Sequence, residues 1–187
     1  MLIFPHQLFD QHPGRAEQPD HTVLIEDPLF FGDPQYPMRF HKQKLWLHRT
    51  SMTRYAERLR TEGETVDYVD YDVGEPVTQQ TIADLSKAGF TRLVCADPVD
   101  FSLEKRLKAY AKEAEIELEI LETPGFLNSK ADNRNWRATQ KRWFMVEFYK
   151  AQRRRLNVLM QGDAPMGGQW SFDEDNRKKV PKKLLST

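Results

Sequence analysis

Thr91-Arg92-Leu93-Val94-Cys95-Ala96 is the most apolar short run in the chain, set between Gly89 and Asp97-Pro98. A run this short, apolar from Leu93 to Ala96 and closed by turn residues, reads as a strand covered on both faces, the centre of a parallel sheet. Four more strand-like runs lie outward from it, at residues 2–5, 21–26, 65–71 and 116–122. Between them the period changes to that of helices. Residues 41–62 place Leu45, Met52, Tyr55, Ala56 and Leu59 on one face and end at Gly63. Residues 78–88 end at Gly89, and residues 102–114 begin at Ser102, a capping residue. Residues 135–156 predict the longest helix, carrying Trp136, Trp143, Phe144, Phe148 and Tyr149. Residues 9–20 and 27–40 are rich in Pro and Gly and predict loops.

Strands alternating with helices imply right-handed crossovers and a parallel sheet sandwiched between helical layers. The expectation is a doubly wound α/β fold, Rossmann-like and flavodoxin-like, with five strands in the order 3-2-1-4-5. The α/β domain is expected over residues 1–156, with residues 157–187 as a linker or tail.

Composition narrows the classes. Of 187 residues, 39% are hydrophobic, enough for a core without disulfide or metal staples. The single cysteine, Cys95, has no partner for an intrachain disulfide and no spacing for zinc. A reducing cytoplasm is the expected compartment. No apolar run approaches the roughly 18–20 residues that span a bilayer, so no membrane partner is expected. Net charge is zero but uneven. Residues 1–125 hold 14 Lys/Arg against 22 Asp/Glu, and residues 126–187 hold 14 against 6, a contrast of −8 with +8. The basic part either compensates the acidic body or meets nucleic acid.

In an open parallel sheet, ligands bind beyond the carboxyl ends of the strands, where the strand order reverses. Those ends read Pro5-His6-Gln7, Glu26-Asp27-Pro28 and Ala96-Asp97-Pro98. Neither a dinucleotide fingerprint nor a P-loop is present. The neighbouring loops instead carry rings, among them Phe4, Phe9, Phe30, Phe31, Tyr36 and Phe40. Such rings either fill core under a long loop or stack on a flat ligand. His6 and His41 offer imidazoles for a heterocycle, and His6 or Asp97 as a base would define a small-molecule enzyme. Arg153-Arg154-Arg155 closes the longest helix, where cations complement the dipole.

Met166-Gly167-Gly168-Gln169-Trp170-Ser171-Phe172-Asp173-Glu174-Asp175-Asn176-Arg177 joins two flexible glycines to two aromatic anchors. Gly-Gly-x-Trp-x-Phe-Asp-x-x-Asn-Arg resembles the signature that follows the antenna domain in bacterial photolyase-related proteins, the iron–sulfur cryptochrome/(6-4)-photolyase group. Further stretches agree in order: Leu2-Ile3-Phe4-Pro5-His6-Gln7-Leu8; Phe40-His41-Lys42-Gln43-Lys44-Leu45 leading to Met52-Thr53-Arg54-Tyr55-Ala56; and Phe126-Leu127, Asn135-Trp136 and Leu159-Met160-Gln161-Gly162.

The resemblance implies an antenna pigment, ribityl-lumazine or flavin-like, in the N-terminal domain. It implies that FAD and a four-cysteine [4Fe–4S] cluster belong to a helical domain expected to be missing from residues 1–187. It implies a fragment or stand-alone module that is not catalytic alone and serves light-driven DNA repair or blue-light signalling. The expected partners are the FAD-binding helical domain and, through the parent protein, DNA. Pigment contacts are expected from Phe4, Pro5, His6, Gln7, Glu26, Asp27, Phe30, Phe31, His41, Lys44 and Asp97. Trp170, Phe172, Asp173, Asn176 and Arg177 are expected to face the other domain or DNA. Lumazine-holding relatives have Gly-Asp where this chain has Pro5-His6, and an acidic contact where it has Leu29-Phe30-Phe31. A different pigment, or none, is the consequence. The alternative function is a nucleic-acid-binding module using the basic C-terminal third.

Overall fold

The computed structural model describes residues 1–172 and 178–181. It divides into two compact units, Met1–Ser129 and Lys130–Thr187.

The first unit holds a five-stranded sheet of β1 (Leu2–Ile3), β2 (Thr22–Ile25), β3 (Val66–Val69), β4 (Arg92–Ala96) and β5 (Glu117–Leu121). Its order is β3-β2-β1-β4-β5, and every pairing is parallel. The predicted topology is therefore the observed one. β1 has only two residues but lies at the centre, pairing Leu2 with Val23 on one side and with Cys95 on the other. Its side chains alternate between layers, as strand geometry requires. Leu2 and Phe4 join Val23, Ile25, Cys95, Leu103 and Leu107 on one face. Met1 and Ile3 join Leu24, Met52, Tyr55, Ala56 and Leu59 on the other. Cys95 is fully buried, and desolvation pushes its thiol up to about 12, which makes it inert core.

The helices are α1 (Pro28–Phe31), α2 (Lys42–Thr61), α3 (Val77–Lys87) and α4 (Phe101–Glu113). α1 is a single turn inside the segment expected to be loop. α2 buries the stripe read from sequence, and Gly63 follows it at φ +93°. α4 starts one residue before the expected cap Ser102. Asp100 caps it instead, its carboxylate accepting the Leu103 N–H at 2.8 Å, since an Asp already stands ahead of the first turn.

The second unit corrects the long-helix expectation. Residues 135–156 are not one helix but parts of two, α5 (Lys130–Ala138) and α6 (Met145–Leu156). The Thr139 hydroxyl donates back to the Trp136 carbonyl at 2.7 Å and competes with the helical backbone pattern. The chain then doubles back so that Trp136 meets Phe148 edge-on, with ring centres 4.9 Å apart. Residues expected to open an extended tail instead form a hairpin, β6 (Met160–Gln161) against β7 (Ala164–Pro165).

Candidate functional site

The carboxyl ends of β1 and β4 flank the point where strand order reverses. After β1 the chain makes a tight turn that Gln7 locks. Its amide oxygen accepts the Phe4 N–H at 3.2 Å, and its amide nitrogen donates to the Ala96 carbonyl at 2.7 Å. Gln7, Phe4 and Pro5 are buried by this arrangement, and His6 is left exposed at the rim.

His6 bridges the switch point. Its Nε2 lies 2.8 Å from the Pro98 carbonyl oxygen. A carbonyl can only accept, so Nε2 carries a proton, and in the neutral ring Nδ1 is then the acceptor. Desolvation lowers the His6 pKa, outweighing the Pro98 bond and the nearby Asp100 and Asp27 charges, and this favours the neutral ring. The ring stacks on Phe30 at 4.8 Å with 21° between planes. Phe30 in turn meets His48 of α2 at 6.0 Å, edge-on, and Phe31 meets the same imidazole at 6.1 Å. His48 Nε2 is buried without a hydrogen-bond partner. Burial, then Lys44 and His6, push the His48 pKa down. One turn earlier on α2, Lys44 sits 4.2 Å above the Phe40 ring.

The carboxylates expected at this mouth are engaged within the fold. Glu26 is fully buried and receives Arg49 Nε at 2.7 Å, a second bond from Arg49 Nη2, the Tyr68 hydroxyl at 2.7 Å and the Tyr71 N–H at 2.9 Å. Desolvation raises its pKa, but these donors together outweigh it and leave the carboxyl below its ordinary value. Asp27 caps α1 through the Leu29 N–H at 2.9 Å and accepts the Thr78 hydroxyl at 2.6 Å. Burial raises its pKa despite both bonds. Asp97 accepts the Val99 N–H at 3.0 Å. Val99 holds φ +52°, a conformation that costs a β-branched residue about 1–2 kcal/mol, and its side chain is half exposed beside His6's partner Pro98. Local strain at a switch-point loop is common at binding sites. His41 caps α2, accepting the Gln43 N–H at 3.2 Å.

The structure therefore brings His6 and Phe30 into direct contact and links them through His48 toward Lys44. Phe4, Pro5, Gln7, Glu26, Asp27 and Phe31 act as the packing and hydrogen-bonded frame beneath. His48 was not singled out from sequence; its spacing of four from Lys44 on the same helix is the signal that marks it.

In the second unit, Trp170 has a seat. The Arg153 and Arg154 guanidinium carbons lie 5.3 Å and 4.5 Å from its ring centre. Arg153 is itself buried, donating to the carbonyls of Val158 (3.2 Å), Trp170 (3.1 Å) and Leu159. Phe172 is mostly exposed, with one ring edge against Gly167. A Cβ on Gly167 would stand 3.1 Å from Phe172 Cζ, and φ is +76° there, so both space and backbone favour glycine. Asp173, Asn176 and Arg177 lie outside the described residues.

The model of the deoxyribodipyrimidine photo-lyase-related protein family matches residues 1–187. The chain belongs to this family. The chain is 32% identical over 191 residues to "Uncharacterized protein R852" of Acanthamoeba polyphaga mimivirus, covering 98% of this chain and 96% of the viral protein. It is also 31% identical over 178 residues to a (6-4) photolyase of Agrobacterium fabrum, covering 92% of this chain and 34% of that enzyme. The chain thus spans about a third of the length of the photolyase it matches. The photolyase-related family expected from the Gly167–Arg177 signature and the strand-end motifs is the family found. Among the described residues, no helix is long and apolar enough to cross a membrane.

Proposed function

We propose that this chain is a light-harvesting and scaffolding module of a photolyase-related protein, seating a flat heteroaromatic pigment, a ribityl-lumazine or a flavin, on the His6–Phe30 pair. The observation that carries the reading is the stack itself. A neutral imidazole, fixed by Pro98 and backed by Phe30, stands at the switch point with Nδ1 as an acceptor. Ring faces bind a flat ligand by stacking, and Nδ1 suits an N–H on a heterocycle edge. The unpartnered His48 Nε2 nearby supports it, because a buried polar atom without a partner calls for an explanation, and a ligand group supplies one.

The residues fit such a pigment by stacking rather than by ion pairing, since Glu26, Asp27 and Asp97 already hold loops. When bound, the pigment supplies absorption in the visible and energy transfer. The chain's own residues orient the ring and keep water from one face. In this reading, FAD and [4Fe–4S] chemistry belongs to a helical domain outside residues 1–187, because a four-cysteine cluster needs more than the one thiol present here. That domain is the partner, the compartment is cytoplasmic, and the output is light-driven DNA repair or blue-light signalling by the whole protein.

The test is titration of the purified chain with ribityl-lumazine and with riboflavin, followed by fluorescence quenching. His6→Ala and Phe30→Ala should each weaken binding by about 2- to 10-fold, the value of one aromatic stack. Quenching equal in both variants, or absent with both pigments in the parent chain, overturns the pigment seat.

A further inference from the structure

Two exposed surfaces of this chain carry apolar side chains and are opposite in charge. One is the α5–α6 cavity of the second unit, about 480 Å³, lined by Trp136, Arg137, Trp143, Phe144, Met145 and Phe148. Its floor is the edge-on pair of Trp136 and Phe148. At its rim Trp143 is 60% and Phe144 57% exposed. Arg137 lies 3.7 Å from the Trp143 ring centre. Residues 130–155 hold nine Lys/Arg against two acids, and Arg134, Lys141 and Arg142 are exposed. The other surface is the exit of β4 in the first unit. Val99 is 52% and Phe101 80% exposed there. Phe101 is the first residue of α4, and its turn is held on both sides. Asp97 accepts the Val99 N–H at 3.0 Å, and Asp100 accepts the Leu103 N–H at 2.8 Å. Residues 97–104 hold Asp97, Asp100 and Glu104 and no Lys or Arg. Lys105 follows them and is exposed, whereas Arg106 is paired with Asp33 and Lys108 with Glu104.

From these two surfaces we infer that copies of this chain associate head to tail, the Phe101 ring of one copy entering the α5–α6 cavity of the next while the acids of the β4 exit meet the cations around the rim. Aromatic residues and Arg are enriched at the centres of protein interfaces, where a ring seated in a pocket carries much of the binding. A purely apolar partner would fill the cavity but leave the surrounding cations desolvated and unpaired. A second α5–α6 face would set cation against cation. The β4 exit supplies both the ring and the negative charge, on a backbone already held in place. The contact is heterologous, because different surfaces meet, so it either closes between two copies or extends to further ones. Neither Phe101 nor the cavity belongs to the proposed pigment seat.

Sedimentation velocity of the full chain from about 1 to 100 μM, a range suited to weak association, reads the assembly directly. The mass should rise with concentration at about 50 mM salt and fall back near about 500 mM, because salt screens the facing charges. Phe101→Ala and Trp143→Ala should each weaken association by about tenfold, the loss expected of an interface anchor. Both side chains are largely exposed, so these variants retain the fold, which far-UV circular dichroism checks. Mixing the two variants is the decisive arm. The Phe101→Ala copy keeps an intact cavity and the Trp143→Ala copy keeps an intact Phe101. An equimolar mixture should therefore pair at a concentration where each variant alone is largely monomeric. A chain that stays monomeric throughout leaves both surfaces to other occupants and overturns the inference. Unchanged association in both ring variants, association that strengthens with salt, or a mixture that fails to pair overturns it equally.

Discussion

Replacing Arg49 with Met tests whether Glu26 is a structural carboxylate. The methionine keeps an apolar stem near Phe31, whose ring centre lies 5.8 Å from the Arg49 guanidinium carbon, and removes two of the four donors on a fully buried acid. Breaking a wholly buried ion pair costs about 3–5 kcal/mol. Arg49's side chain is 52% exposed, so solvent already screens part of the interaction, and Tyr68 and Tyr71 continue to donate. A loss of about 2 kcal/mol at neutral pH is therefore expected. Its pH dependence is the sharper signature. In the parent, the folded-state pKa of Glu26 lies below its ordinary value, so its stabilisation is present above an unfolded pKa of about 4.3 and disappears as pH falls through the folded value. Without Arg49, burial dominates and raises that pKa, so protonation at mildly acidic pH relieves the variant. Urea unfolding of parent and variant at pH 7 and near pH 4 should show the gap between them narrowing in acid. A gap that is equal at both values, or below about 0.5 kcal/mol at pH 7, the level of an ordinary surface change, refutes the assignment.

Acid should also act through His12. Burial, then the N-terminal ammonium and Arg15, lower its pKa to about 4, while its Nδ1 accepts the Gly14 N–H at 3.1 Å. Because the unfolded state binds the proton first, stability should fall by up to about 3 kcal/mol between pH 6.5 and 4, and His12→Asn should flatten this part of a pH–stability profile; an unchanged profile counts against it. Gly167→Ala should strain a residue at φ +76° and press Phe172, destabilising the second unit by about 1–2 kcal/mol. Faster limited proteolysis around residues 160–172 with the first unit intact is the expected readout, and unchanged cleavage would contradict it.

Much of the first unit was legible because its signals are local and periodic. An apolar run such as Leu93–Ala96 and a stripe such as Met52, Tyr55, Ala56 and Leu59 each declare their own element, and right-handed crossovers then order the strands. The site was less legible. Glu26 is saturated by Arg49, Tyr68 and Tyr71, residues 23, 42 and 45 positions away, and no periodicity announces such pairings. The break between α5 and α6 was hidden for a similar reason. Continuous aromatic spacing suggests one helix, whereas the turn depends on the Thr139 hydroxyl and on the contact that Trp136 gains by folding back on Phe148. Trp170 reads as an anchor without a partner until α6 presents Arg153 and Arg154 to its ring.

If the first unit holds the proposed pigment, these same non-local bonds determine what kind of ligand it can accept. An anionic side chain at the mouth recognises a ligand only if its lone pairs are available, and the frame uses those of Glu26, Asp27 and Asp97 to hold β2's exit, α1 and the strained Val99 turn. In the proposed pigment seat, recognition would then fall to His6, Phe30 and the electropositive end of α2 with Lys44. A site of this composition discriminates by ring size, stacking and one hydrogen bond, and it favours an anionic ligand over a cationic one. Changing Pro5-His6 to Gly-Asp would reverse that preference. It would remove the Pro98 bridge and the Phe30 stack together and put a carboxylate where a neutral imidazole now stands. The identity of residue 6 therefore sets the closure of the switch point and, in the proposed pigment seat, the charge of what it would admit.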